Sequence, residues 1–213
     1  EYPNLKFSPF ISSQAIIQSG EAMSGGMIFG VVPEKEALIN PIYKDALGNL
    51  QMDTYDIITG SGISDKLLLN GGSKATLYFT ELNPTGFSMM PKMKRFTYVN
   101  SFNSGLNAYD KSYMYTSLEA LQILLKKEPG YYDGIHIHSN DAFADMEKLK
   151  ESLRGTNSGV LGLWQQNGNF FAVMKMEKTA RFIVLMLIIL VASLNIISSL
   201  LMTVMSRRKE IAL

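Results

Sequence analysis

Apolar and polar positions are distributed unevenly along this chain. Residues 182–205 (FIVLMLIILVASLNIISSLLMTVM) run for 24 positions without a charge, a Gly or a Pro. As a helix the run is about 36 Å long, enough to cross a bilayer core of about 30 Å. Globular helices seldom stay apolar all round for this length, so a membrane span is expected. Its place near the C-terminus excludes a signal peptide.

Upstream the periods are shorter. Residues 5–18 and 26–32 read as strands joined by the turn-rich SGEAMSGG. Pro33 and Pro41 bracket a loop or short helix, and 54–59 is a possible short strand. Residues 63–69 read as a short helix stopped by Asn70, Gly71 and Gly72. Strands follow at 74–82 and 95–102. Thr116 with Glu119 fits a capping box before the apolar LEALQILL, so a helix is expected over 117–127. GIHIH (134–138) reads as a strand, 141–153 as an amphipathic helix and 160–164 as a short strand. From about 168 the pattern is helical into the apolar run. Strand, helix, strand, helix, strand over 95–164 predicts an α+β domain with helices on one face of a sheet. The loop-rich stretch at about 40–95 suggests a second, smaller subdomain.

Composition sharpens this. Of 213 residues, 20 are Lys or Arg and 19 Asp or Glu, a net charge of +1, which argues against a dedicated nucleic-acid binder. At 46% hydrophobic and 18% charged the chain is not disordered. It has no Cys, which excludes a disulfide framework, a cysteine nucleophile and a thiolate metal site. Arg207, Arg208 and Lys209 follow the span, while Lys175, Lys178 and Arg181 precede it. Short loops dominate the positive-inside rule and large domains translocate largely regardless of charge, so the C-terminal end is expected in the cytoplasm and residues 1–181 outside it. The chain begins at Glu1, not Met, so an earlier export helix is expected upstream in a larger permease-like protein.

Candidate chemistry is sparse. The segment 83–94 (NPTGFSMMPKMK) joins two expected strands and sets Phe87, Met89, Met90 and Met93 among Pro84 and Pro91. Prolines limit the entropy lost on binding, and methionines make an adaptable apolar surface; the alternative is that these side chains fold back onto the core. Lys92, Lys94 and Arg95 form either a basic patch beside this loop or a solvated strand edge. His136 and His138 share one face of a strand, but zinc needs three or four ligands and no other His exists. No metal, cofactor or catalytic residue is expected. Asp110 and Asp133 read as turn residues, no G-x-S-x-G surrounds a serine, and no phosphate-cradling G-x-x-x-x-G-K-[ST] occurs. In the span Asn195, Ser198, Ser199 and Met202 make a stripe for helix packing or a subunit interface. Phe171, Met174, Phe182 and Met186 lie roughly along one face of the helix where the apolar run begins, placed to touch lipid.

The run 164–213 resembles the permeases of the lipoprotein-releasing ABC transporter (LolC, LolE and the single-gene LolF form) within the wider MacB/FtsX-like group. The likeness rests on Trp164, Phe170, Phe171, Met176, Glu177 and Lys178, then Asn195, Ile196, Ser198, Ser199 and Leu200, and finally Arg207, Arg208 and the EIAL at 210–213. PKMKRFTYVNSFNSGLNAYD (91–110) is similar to a second family segment. ITGSGISDKLLLNGGSKATL (58–77) departs from it, with Ser73 where the family has Asp. The resemblance implies a bacterial inner-membrane permease with a periplasmic domain. That domain has a porter-like α/β part (1–40 and 96–167) and a mostly β, Sabre-like subdomain (41–95) with a protruding hairpin loop. A membrane-proximal and transmembrane helix (168–206) and the start of a cytoplasmic coupling segment (207–213) follow. It implies as partners ABC ATPase subunits, a second permease subunit, lipoprotein cargo, membrane lipids and a LolA-like periplasmic chaperone. In LolC-like members the loop holds that carrier; LolE-like members do not hold it this way. A MacB-like exporter of peptides or small molecules and an FtsX-like regulator of a cell-wall hydrolase are the alternative readings.

Overall fold

The computed structural model describes residues 5–79, 92–156, 158–162, 165 and 168–207. The chain divides into two units, 1–141 and 142–213.

The first unit is built on one long strand. β1 (Lys6–Ser19) and β2 (Ala22–Val31) form a hairpin, paired antiparallel from Ser19↔Ala22 to Phe10↔Val31. Its two-residue turn carries Gly20 at φ +58°, at the first central position where a type II′ turn favours Gly. The polar SGG read as part of this turn lies inside β2 instead, because the turn needs only Gly20 and Glu21. On its other side β1 pairs with β7 (Gly134–His138) through Lys6–Phe10 and with β4 (Lys74–Phe79) through Ala15–Gln18. Pro9, which has no N–H to donate, lies in the stretch of β1 that β2 does not reach.

β3 (Asp56–Gly60), β5 (Lys92–Phe102) and β6 (Tyr113–Ser117) complete the order β2-β6-β3-β5-β4-β1-β7. The pairs β2–β6 and β3–β5 are parallel and the others antiparallel. Since β1 also pairs with β2, six strands close on themselves and β7 stands outside the ring. The segment 41–95, expected as a separate subdomain, supplies β3, β4 and the start of β5 to this same sheet. Among the described residues it is therefore woven into one unit with β1 and β2.

At β3 both faces of the sheet are buried, a second departure from the sequence reading. Successive side chains of a strand point to opposite faces. Ile57 packs into a core with Ile28, Leu77, Phe96 and Met114, covered by α3 (Ser61–Leu67) and α5 (Leu118–Leu125). Its neighbour Ile58 packs with Val31, Tyr43 and Phe102 beneath α1 (Pro33–Ala37) and α2 (Pro41–Leu47). The register shift at Ile57/Ile58 leaves Val99 as an extra residue on β5, and so lets Tyr98 serve the first core and Phe102 the second.

β6 escaped the sequence reading, and with it the cap of α5. Thr116 is inside the strand and donates through Oγ1 to the Asp56 carbonyl at 2.7 Å. Ser117 is the N-cap, its Oγ accepting from the Ala120 N–H at 3.0 Å, and Glu119 accepts from Thr54 Oγ1. The short α4 (Asn107–Asp110) precedes β6 and packs where Gly60 leaves room: a Cβ there would stand 2.2 Å from the Asp110 carbonyl oxygen.

The second unit holds α6 (Ala142–Ser152) and α7 (Gly168–Ser206). Residues 160–162, expected to begin a strand, are irregular, and no strand partner stands beside them among the described residues. α7 is 39 residues, about 58 Å, and its stretch Ala172–Ser206 is long and apolar enough to cross a membrane, with none of its most apolar window buried.

Candidate partner and membrane surfaces

Pro84, Phe87, Met89, Met90 and Pro91, the expected carrier-binding loop, lie outside the described residues. The strand that leaves this loop is described. β5 pairs with β4 in the register Phe79↔Lys92, Leu77↔Lys94 and Thr76↔Arg95. Residues directly opposite share a face. Lys92 and Lys94 therefore stand on the face of buried Leu77, Phe79 and Phe96, and Arg95 stands on the other face beside Thr76. The structure does not bring the three cations into one patch. Lys94 extends its ammonium over the Tyr55 ring, 4.1 Å from the centroid, while Lys74 on the Arg95 face donates to Thr97 Oγ1 at 2.6 Å. Met93, beside Tyr78 on the Arg95 face, is 67% exposed.

His136 and His138 do not act together. His136 stacks on Phe10 with centroids 4.1 Å apart and planes 18° apart, and its Nδ1 lies 3.3 Å from Glu36 Oε2. Glu36 is 2% exposed on α1 and also accepts from Asn40 Nδ2. Burial raises its carboxyl pKa, but His136, Ser8 and Asn40 outweigh that and hold it below the ordinary carboxylate value. An ionised carboxylate only accepts, so the proton of the contact sits on Nδ1. The Ser8 hydroxyl is buried near this carboxylate but falls outside hydrogen-bond geometry to any partner. The same charge acts on the neighbouring tyrosines. Burial first and Glu36 second push Tyr115 up to about 12, and Tyr43 is raised for the same two reasons. This cluster was invisible in sequence because Glu36 and His136 are 100 positions apart.

The two aspartates are structural. Asp110 Oδ1 accepts from the Ser104 N–H and hydroxyl, both at 2.8 Å, and Asp133 Oδ2 accepts from the Ser12 N–H at 2.9 Å. Among the described residues no group of three or more His, Cys, Asp or Glu is placed to hold a metal.

On α7 the residues sort by angle. At about 100° per residue, Phe171, Met174, Phe182 and Met186 fall within roughly a 120° arc. Asn195, Ser198, Ser199 and Met202 fall within roughly 100°, centred about 135° away from the first set. The two sets of positions therefore fall on different faces of the helix. Met174, Phe182 and Met186 are exposed. Of the hydroxyls in the apolar stretch, Ser193 donates to the Ile189 carbonyl and Thr203 to the Ser199 carbonyl, so these polar groups are satisfied within the helix. Just before the charge-free run Arg181 Nη2 pairs with Glu177 Oε1 at 2.9 Å.

No family model matches the chain. It is 27% identical over 212 residues to the lipoprotein-releasing system transmembrane protein LolC of Xylella fastidiosa strain Temecula1, covering 97% of this chain and 51% of that protein. It is 29% identical over 219 residues to LolC of Neisseria meningitidis serogroup B strain MC58, covering 98% and 52%. The transmembrane protein LolE of Haemophilus influenzae strain Rd is 26% identical over 220 residues, covering 99% and 52%. The chain spans about half the length of the curated relatives it matches. Among solved structures it is similar to the periplasmic region of MacB from Actinobacillus actinomycetemcomitans, at TM-score 0.40 and 12% identity over 70% of this chain and 65% of that one. The extracellular domain of the ABC-type transporter YknZ gives 0.43 and 13% over 71% and 74%. The likeness to LolC and LolE covers both units of the chain.

Proposed function

We propose that this chain is part of a permease subunit of an ABC transporter that extracts lipoproteins from the bacterial inner membrane and hands them to a periplasmic, LolA-like carrier. The observation that carries the reading is the similarity to LolC and LolE proteins along 97–99% of the chain, sheet unit and apolar helix alike. In this reading residues 1–181 are mainly periplasmic, α7 crosses the membrane, and the end beyond Arg207 enters the cytoplasm toward the ATPase. A second permease subunit packs on the Asn195 stripe, and lipid or cargo acyl chains meet the Phe182 stripe.

The work is mechanical. ATP is hydrolysed on separate subunits, and this chain supplies a two-state element rather than catalytic groups or a cofactor. The carrier meets the loop at Pro84, Phe87, Met89, Met90 and Pro91, with Arg95 and Met93 on the adjoining strand face. The test is retention of a LolA-type carrier by the full chain in detergent micelles, with Phe87→Asp plus Met89→Asp as the comparison. Retention that falls at least tenfold in the double variant supports the handover. A folded protein that retains no carrier removes the loop assignment and leaves a LolE-like subunit or a permease with another client.

A further inference from the structure

Three cations stand just before the charge-free run of α7: Lys175, Lys178 and Arg181. On the helix they fall within roughly a 120° arc, and that arc overlaps the one occupied by Met174, Phe182 and Met186. The three are not equivalent. Arg181 is tied to Glu177 at 2.9 Å, whereas Lys175 and Lys178 have no acidic partner among the described residues. Lysines three apart on a helix are neighbours, so their ammonium groups can converge on one anion. Measured along the axis from Phe182, where the apolar run begins, Lys178 sits about 6 Å out, within a headgroup layer about 5–8 Å thick, and Lys175 about 10 Å out, just beyond it and within reach of its long side chain. One helix face thus offers two free ammonium groups above a strip of exposed Phe and Met.

We propose that this face of α7 binds an anionic phospholipid, its phosphate held between Lys175 and Lys178 and its acyl chain laid along Phe182 and Met186. The proposal rests on the membrane placement of α7 argued above and deepens it by naming the lipid. Charge complementarity selects the occupant. A diacylglyceryl thioether such as a lipoprotein anchor carries no phosphate, so it matches the apolar strip but not the lysines. A phosphatidylglycerol-type lipid matches both. Phospholipid would then hold the face until a lipoprotein displaces it, and the lysines would set how readily that exchange occurs.

The test uses the full chain in nanodiscs of equal phosphatidylglycerol and phosphatidylcholine, with native mass spectrometry counting the lipids that stay bound on ejection. Enrichment of phosphatidylglycerol that falls roughly fivefold for each lysine removed in Lys175→Gln and Lys178→Gln supports the site, the size expected for a basic residue at an anionic surface. Glu177→Gln, which frees Arg181, raises the enrichment. Equal retention of the two lipids, or enrichment unchanged in the double variant, overturns the proposal while α7 stays in the bilayer. A chain that does not enter nanodiscs overturns the membrane placement itself, and the lipid site with it.

Discussion

The buried Glu36 carboxylate is the residue on which most of the polar chemistry of the first unit converges. Its hydrogen-bond partners come from two elements, His136 on β7 and Asn40 at the cap of α2, and the Ser8 hydroxyl of β1 is buried nearby. Removing His136 leaves a buried, ionised carboxylate without one of its hydrogen-bond donors. Because His136 is 37% exposed, the loss is below that of a fully buried pair, and His136→Ala is expected to cost about 2 kcal/mol in urea unfolding. The pH dependence follows from the direction of the shift. The folded carboxyl of Glu36 titrates below its unfolded value of 4.5, so the stabilisation is present above that value and is lost as pH falls through the folded one. Unfolding at pH 7 and at pH 3 should show the penalty of Glu36→Gln shrinking in acid; a penalty equal at both would refute the assignment. Thr59 is the opposite case. It is fully buried with an unpaired hydroxyl, so Thr59→Val should be neutral or stabilise by about 1 kcal/mol.

At the scale of elements, close backbone approach decides more than propensity. Gly60 ends β3 and caps α3, and the α4 backbone at Asp110 fills the space where its Cβ would be. Gly60→Ala must move two elements and is expected to cost about 2–3 kcal/mol, while Gly25→Ala, with nothing within 4 Å, should change stability by under about 0.5 kcal/mol. Thermal unfolding of the two variants side by side checks the contrast. Such contacts also mark the limit of what sequence patterning conveys. The strands β1, β4, β5 and β7 were legible because alternation or β-branched runs identify a strand wherever it pairs. β6 was not legible, because Tyr113, Met114, Tyr115 and Thr116 are large or buried on both faces and leave no polar side to mark the period. The consecutive Ile57 and Ile58 carried the news that helices cover both faces, but only once β3 is known to lie between β5 and β6. Likewise Thr116 and Glu119 fit a capping spacing by sequence, and pairing of β6 with β3 gave Thr116 another partner.

For the whole molecule, the orientation of α7 links the sheet unit to its place in the cell. The apolar run was plain in the sequence, since 24 uncharged residues need no tertiary context to be read. Its direction was not, because three cations flank each end and only the size of the translocated head breaks the tie. The absence of Cys makes the question direct, since any single cysteine added is the only thiol in the chain. Gln51 is exposed in the loop after α2, and Ser206 is exposed at the end of α7. In intact cells with a permeable outer membrane, Gln51→Cys should react with a membrane-impermeant maleimide, and Ser206→Cys should react only after the inner membrane is opened. Labelling in the reverse order would put the sheet unit in the cytoplasm, away from any periplasmic carrier. It would also move Lys175 and Lys178 to the inner leaflet, so the same two cysteines decide which leaflet supplies the lipid on that face.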